Sequence, residues 1–374
     1  MRKTIIVISW IIGVLLIGWV IFYFVNRPTT SPITTNQKTS SSTTQQAQQT
    51  QQKQPVSLLK VVSSNPVFDF AVSSSTQDIL TVDQDGKIEK ITQGQKNTFL
   101  SEQTINDLGF VLPSPDGQKI AVGFGNSIQP QLSIFNLADN SWSPLQMGIK
   151  SIAWSPEGKR LAATITGQTG RTDLMILDQT GKAPKTIIQN FSLQDLKMEW
   201  LMANQIFFSE KPAALAMGSA WRLDFPTAAK TTFTQIVAPG KGLLIKWLAN
   251  NLGLKLQNQQ SSLINSAGQT TGNISYLALP DKCAIKDNSL YCFLFNSNNS
   301  KTIWPDDYLK KAVYTQDNLY KFDLSNPTNK PTLVFDVIGA GKTIDASEVK
   351  ISGNQIFFVN RYDNLLYSLD ISNQ

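Results

Sequence analysis

Two copies of one turn, 41 residues apart, constrain this chain more than any other feature. Residues 108–124 read LGFVLPSPDGQKIAVGF and residues 150–166 read KSIAWSPEGKRLAATIT, so Ser114-Pro115-Asp116-Gly117 matches Ser155-Pro156-Glu157-Gly158. Proline presets φ to about −65° at the first central turn position, and glycine accepts the positive φ that closes the turn. With β-rich runs on both sides, each unit reads as a hairpin. Recurrence with a period of about 40 to 50 residues is the signature of a propeller array.

Other repeats agree. Candidate first strands begin near Phe68, Leu108, Lys150, Leu196, Leu243, Lys282 and Glu348, and three of them end in Trp154, Trp200 and Trp247, spaced 46 and 47 apart. The second-strand run Asn204-Gln205-Ile206-Phe207-Phe208 recurs letter for letter as Asn354-Gln355-Ile356-Phe357-Phe358. Third strands share a form in LMILD, WRLDF, LYKFDL and LYSLDI. The expected fold is an all-β propeller of seven blades; six or eight also fit, because the first and fifth units are weakly marked. The last unit supplies three strands, and residues 57–63 (SLLKVVS) are the candidate fourth, which would close the ring and protect its edge.

The charge excludes one class of partner. The chain of 374 residues carries 33 bases and 27 acids, but Arg2, Lys3, Arg27, Lys38 and Lys53 precede the propeller. Residues 57–374 therefore hold 28 bases against 27 acids, a net of +1, and show no basic stripe for a nucleic acid. There is no histidine, which removes Ser-His-Asp and Cys-His nucleophile pairs and histidine metal sites.

Residues 4–25 form a run of 22 uncharged residues behind Arg2 and Lys3. As a helix the run spans about 33 Å, enough for a bilayer core, and no cleavage site follows it. It reads as an uncleaved anchor, with residues 1–3 in the cytoplasm and the bulk of the chain outside. Residues 28–56 are almost wholly Thr, Ser, Gln and Pro, the composition of a disordered tether.

The hairpins SPDGQKIAV and SPEGKRLAA resemble the WD40-like repeats of TolB-type bacterial envelope propellers and of the propeller halves of prolyl-oligopeptidase-like enzymes. The resemblance covers residues 57–374 and implies a propeller that binds partners through its faces or channel. It carries no catalytic residue across, and no hydrolase domain follows the last unit.

Few residues point to chemistry. If Asp287-Asn288 centre a two-residue turn, Cys283 faces Cys292 at a non-hydrogen-bonded pair, close enough for a disulfide; two independent buried thiols or a redox pair are the alternatives. Asp83-Gln84-Asp85-Gly86 lacks the later ligands of a calcium loop and reads as a hairpin turn. No nucleophile elbow, phosphate-cradling loop or Cys-x-x-Cys is present. No catalytic residue, cofactor or metal is therefore expected.

Two insertions between second and third strands hold EKPAALAMGS and SKTIWPDDYLKKAVY, the latter with a short helix. Trp304, Tyr308, Leu309, Leu215 and Met217 either form an apolar partner-binding patch there or fold down over their own blades. These features lead to the expectation of a membrane-anchored, non-enzymatic module that binds an envelope protein or polymer. The alternative is a carboxylate-based glycan hydrolase or lyase, which requires two or more acids with raised pKa at the channel mouth.

Overall fold

The repeated turns form as their residue types dictate. In the computed structural model, which describes residues 58–372 apart from 74–75, 93–95, 128, 167–169, 192, 194–195, 226–230, 250 and 296–300, Gly117 and Gly158 take φ of +67° and +71°. Their amides donate to the carbonyls of Ser114 (2.9 Å) and Ser155 (2.8 Å). The two serine hydroxyls accept from the amides of Lys119 at 2.9 Å and Arg160 at 3.0 Å. Each turn thus has its polar groups satisfied internally.

The described residues form seven antiparallel sheets of four strands. Their first strands are Val67–Val72, Leu108–Pro113, Ile149–Trp154, Leu196–Met202, Leu244–Ala249, Cys283–Lys286 and Ala346–Ser352. First strands of successive sheets contact one another, so they surround the central channel. The seven starting points read from the repeats are these strands. In the seventh sheet the fourth strand is Leu59–Val61, which pairs antiparallel with Leu366–Asp370.

The core lies between blades rather than at one centre. Trp154 packs with Ala121 and Ile134 of the second blade and donates its indole N–H to the carbonyl of Leu112 at 2.9 Å. Trp200 packs on Ala162, Leu174 and Ile176 of the third blade, and Trp247 lies 4.3 Å from Phe207 of the fourth, between ring centroids. Each tryptophan seals its blade against the one before it. Burying such large rings is the main favourable term at each interface.

Residues 1–3, 4–25 and 28–56 lie outside the described residues. Among the described residues no helix is long and apolar enough to cross a membrane.

Candidate active site in the central channel

Charged side chains sit on first strands, where an all-apolar wall would otherwise be expected. Glu199 directly precedes Trp200 and Lys246 directly precedes Trp247, so the fold brings the same repeat position of neighbouring blades to the channel. Asp69, Lys197, Glu348 and Lys350 join them from first strands, and Asp281 from the turn Pro280–Lys282 before the sixth. Acids and bases are interspersed along this arc, and each lysine reaches to another blade. Lys197 lies 3.7 Å from Glu199 and donates to the carbonyl of Ile245 at 3.3 Å. Lys246 donates to the carbonyls of Cys283 and Val349, each at 3.1 Å. Lys350 pairs with Asp69 at 2.8 Å and also donates to the carbonyl of Phe70.

The groups are deep but wet. Side-chain exposures of 45% for Lys197, 23% for Glu199, 33% for Lys350 and 13% for Asp69 leave them open to the channel. Burial sets the direction for Glu199 and Lys246. It raises the Glu199 carboxyl against the opposing pull of Lys197, and it lowers the Lys246 ammonium despite Asp281 and Glu348. The Lys197 ammonium is raised overall, although burial acts against it, because Glu199, Asp281 and Glu348 favour its charge.

Glu348 stands apart. Its strand carries one extra residue, with Ser347 opposite Val359 and Lys350 opposite Phe357, and Glu348 takes φ of +50° within that bulge. Left-handed backbone is unusual for a non-glycine residue, and bulges re-aim side chains. Its carboxylate makes no hydrogen bond or ion pair among the described residues. Burial, reinforced by Asp69 and Asp281, pushes it up to about 7, against Lys350 and Lys246. A carboxyl poised there can give and take a proton near neutrality.

Beside Lys197 opens a cleft of about 470 Å³, lined by Phe110, Phe124, Ile152 and Met198 together with Lys150. It offers room for a ligand next to Lys197. The wall opposite is stapled: Cys283 and Cys292 are register partners joined by a disulfide with Cα atoms 4.2 Å apart, and Cys283 supplies one of the carbonyls held by Lys246. The geometry read from the sequence places that pair correctly.

The predicted partner patch divides. Trp304 (8% exposed) and Tyr308 (4%) are buried with Leu244, Leu256 and Leu279, because the sixth-blade insertion folds down onto the fifth blade. Its helix α1, Asp306–Leu309, ties to the fourth-blade insertion, where the Ala214 amide donates to Asp306 Oδ1 at 2.7 Å. Leu309, Leu215 and Met217 stay exposed. Trp304 and Tyr308 are therefore core residues.

Beneath α1 lies a charged network that the sequence reading did not find. The fully buried Lys282 ammonium meets Asp317 at 2.5 Å, Asp345 at 2.6 Å and the Thr315 hydroxyl at 2.8 Å. Arg361 pairs with Asp345 at 2.8 Å, donates to the Tyr308 carbonyl at 2.7 Å and lies 3.9 Å over the Tyr308 ring. Asp281 faces the channel charges while Lys282, its neighbour, anchors the insertion.

No family model and no curated protein matches the chain. Solved structures share its fold. An oligogalacturonate lyase from Vibrio parahaemolyticus matches with a TM-score of 0.57 and 11% identity over 84% of this chain and 94% of that one. A prolyl endopeptidase matches with 0.55 and 10% over 82% and 48%. The tricorn protease matches with 0.52 and 12% over 84% and 34%, so the chain spans about a third of the tricorn protease and half of the endopeptidase. At these identities the likeness establishes the fold. The chain is a seven-bladed β-propeller with neighbours of the tricorn-like type.

The expectation of a non-enzymatic scaffold is corrected by these findings. The neighbours include a lyase and peptidases, and the fold brings acids and bases from different blades together in the channel, which the sequence did not show. One neighbour is described in complex with manganese. This chain has no histidine, and among the described residues no group of three or more Cys, Asp or Glu is placed to hold a metal, so no metal step is carried over.

Proposed function

We propose that this propeller is a glycan-cleaving enzyme, a hydrolase or lyase, in which channel carboxylates transfer the protons. The observation that supports it is the unpaired Glu348 on its strained bulge, facing the charges of Asp69, Asp281, Lys246 and Lys350. In hydrolysis Glu348 protonates the leaving glycosidic oxygen. Glu199, beside Lys197, and Asp281 are the carboxylates available for the second role, as nucleophile or base. In an elimination Glu348 would instead take the proton next to a substrate carboxyl while the C–O bond to the glycosidic oxygen at the neighbouring carbon breaks to leave a double bond, a channel lysine offsetting the charge that develops and solvent protonating the released oxygen. A peptidase reading is disfavoured, since the chain has no histidine for a Ser-His-Asp triad.

The proposal includes location. Residues 4–25 anchor the enzyme, residues 28–56 tether it, and the propeller, of TolB-type repeat ancestry, works outside the cytoplasm on an envelope polymer. The uncharged run behind Arg2 and Lys3 supports this, as does a disulfide, which persists in oxidising compartments.

The test is incubation of the full chain in detergent with neutral and uronate-containing glycans, reading new reducing ends and unsaturated products. Release that falls by about a hundredfold or more in Glu348→Gln is expected. No release from any glycan, or full activity in the variant, would overturn the assignment.

A further inference from the structure

Two cavities of about 600 and 680 Å³ flank Trp304 on the face from which the insertions emerge. They share Ser275, Tyr276, Leu277, Thr302 and Trp304, which makes them one groove across the fifth and sixth blades. Among the described residues no Asp, Glu, Lys or Arg lines either part. That neutrality separates the groove from the charged channel.

Its polar and aromatic groups are complementary in kind. Tyr276 and Tyr314 keep 40% and 46% of their surface exposed, although large aromatic rings are usually covered. Tyr314 is held in place by the Tyr362 ring, 5.3 Å away between centroids, and by the Arg361 guanidinium at 5.0 Å. Tyr276 rests edge-on against Phe322 at 6.1 Å. Both rings are rigid platforms. Beside them Gln259, Gln260 and Asn273 present exposed side-chain amides that make no hydrogen bond among the described residues. An amide offers two donors and an acceptor in one plane.

A pyranose ring has an apolar C–H face and a rim of hydroxyls that each donate and accept. Exposed tyrosines suit the face, and free amides suit the rim. A uronate, a phosphate or a charged peptide finds no counter-ion here. We propose that this groove is a binding site for a neutral glycan chain, separate from the channel and not itself a place of cleavage. It goes beyond the channel reading and does not need it to hold.

Titration calorimetry on the full chain in detergent tests it, with Glu348→Gln as background so that nothing is cleaved. The probes are hexasaccharides of glucose and of N-acetylglucosamine, an oligogalacturonate, and a proline-rich peptide. The expected result is binding of a neutral hexasaccharide that weakens tenfold or more in Tyr314→Ala and in Tyr276→Ala, survives Tyr314→Phe, and weakens in Gln259→Ala/Asn273→Ala, a surface change that leaves folding intact. Binding of neither neutral hexasaccharide, undiminished binding in the tyrosine variants, or binding of only the oligogalacturonate or the peptide would overturn it. Failure of the channel reading shows differently, as wild-type protein that binds the hexasaccharide and cleaves no glycan.

Discussion

The Lys246 ammonium on the fifth blade donates to the Val349 carbonyl on the seventh at 3.1 Å, passing the sixth blade to reach the residue beside Glu348. The same nitrogen holds the Cys283 carbonyl at 3.1 Å. One side chain therefore ties three blades at the point where the bulge sets the carboxylate. Lys246→Met keeps the stem and removes both bonds. Loss of about 2–3 kcal/mol is expected, read from urea unfolding, since each carbonyl loses a charged donor. An unchanged midpoint would show that water replaces the ammonium without cost.

Glu348 also predicts a pH dependence. Its folded-state carboxyl titrates at about 7 against 4.5 for the free group, so the folded protein binds the proton more tightly than the unfolded chain. Stability from this group is full below pH 4.5 and is lost as pH rises through about 7. Glu348→Gln removes the titration. Denaturation across that window should show wild type losing stability relative to the variant as pH rises from 4.5 through about 7, and parallel curves would refute it.

The buried network supplies a third test. Asp345→Asn leaves Arg361 without its carboxylate and leaves Lys282 with Asp317 as its one charged partner beside the Thr315 hydroxyl, in a fully buried cluster. Breaking such a cluster costs about 3–5 kcal/mol. Thermal unfolding should drop markedly, and trypsin should cut the sixth-blade insertion at Lys310 and Lys311, both exposed.

Core and surface halves of the insertion should separate by mutation. Trp304→Ala empties space among Leu244, Leu256 and Leu279, for a loss of about 3–5 kcal/mol. Met217→Ser and Leu215→Ser, at 59% and 77% exposure, should stay within about 0.5 kcal/mol of wild type.

Reduction of Cys283–Cys292 opens a bridge between residues only 9 apart. Chain-entropy arguments put its contribution at about 2–3 kcal/mol. Calorimetry with and without reductant measures it.

The blades were legible because their signals are local. Ser-Pro-acid-Gly turns and the tryptophan at the end of a first strand each declare themselves within ten or so residues. The insertion was half legible: acids at the start of 306–309 announced the helix, but which of Trp304 and Leu309 turns inward depends on Leu244 and Leu279, 25 to 65 residues away in sequence. The channel was missed for the same reason in stronger form. Glu199 and Glu348 each share a strand with one lysine, and only the closed ring turns the two strands toward one channel. A usable signal existed, since Glu199 and Lys246 hold the same place before their tryptophans, where Ala153 precedes Trp154.

Pairing of Leu59–Val61 with Leu366–Asp370 sets an order on synthesis. The first strand to leave the ribosome has no partner until almost the whole propeller has followed it, and the loop it must close is nearly the length of the domain. Six blades can assemble as they emerge, each on its predecessor. The seventh waits for the final strand, so a chain stalled before residue 366 exposes two raw sheet edges at once, the form most open to capture by a chaperone or a protease.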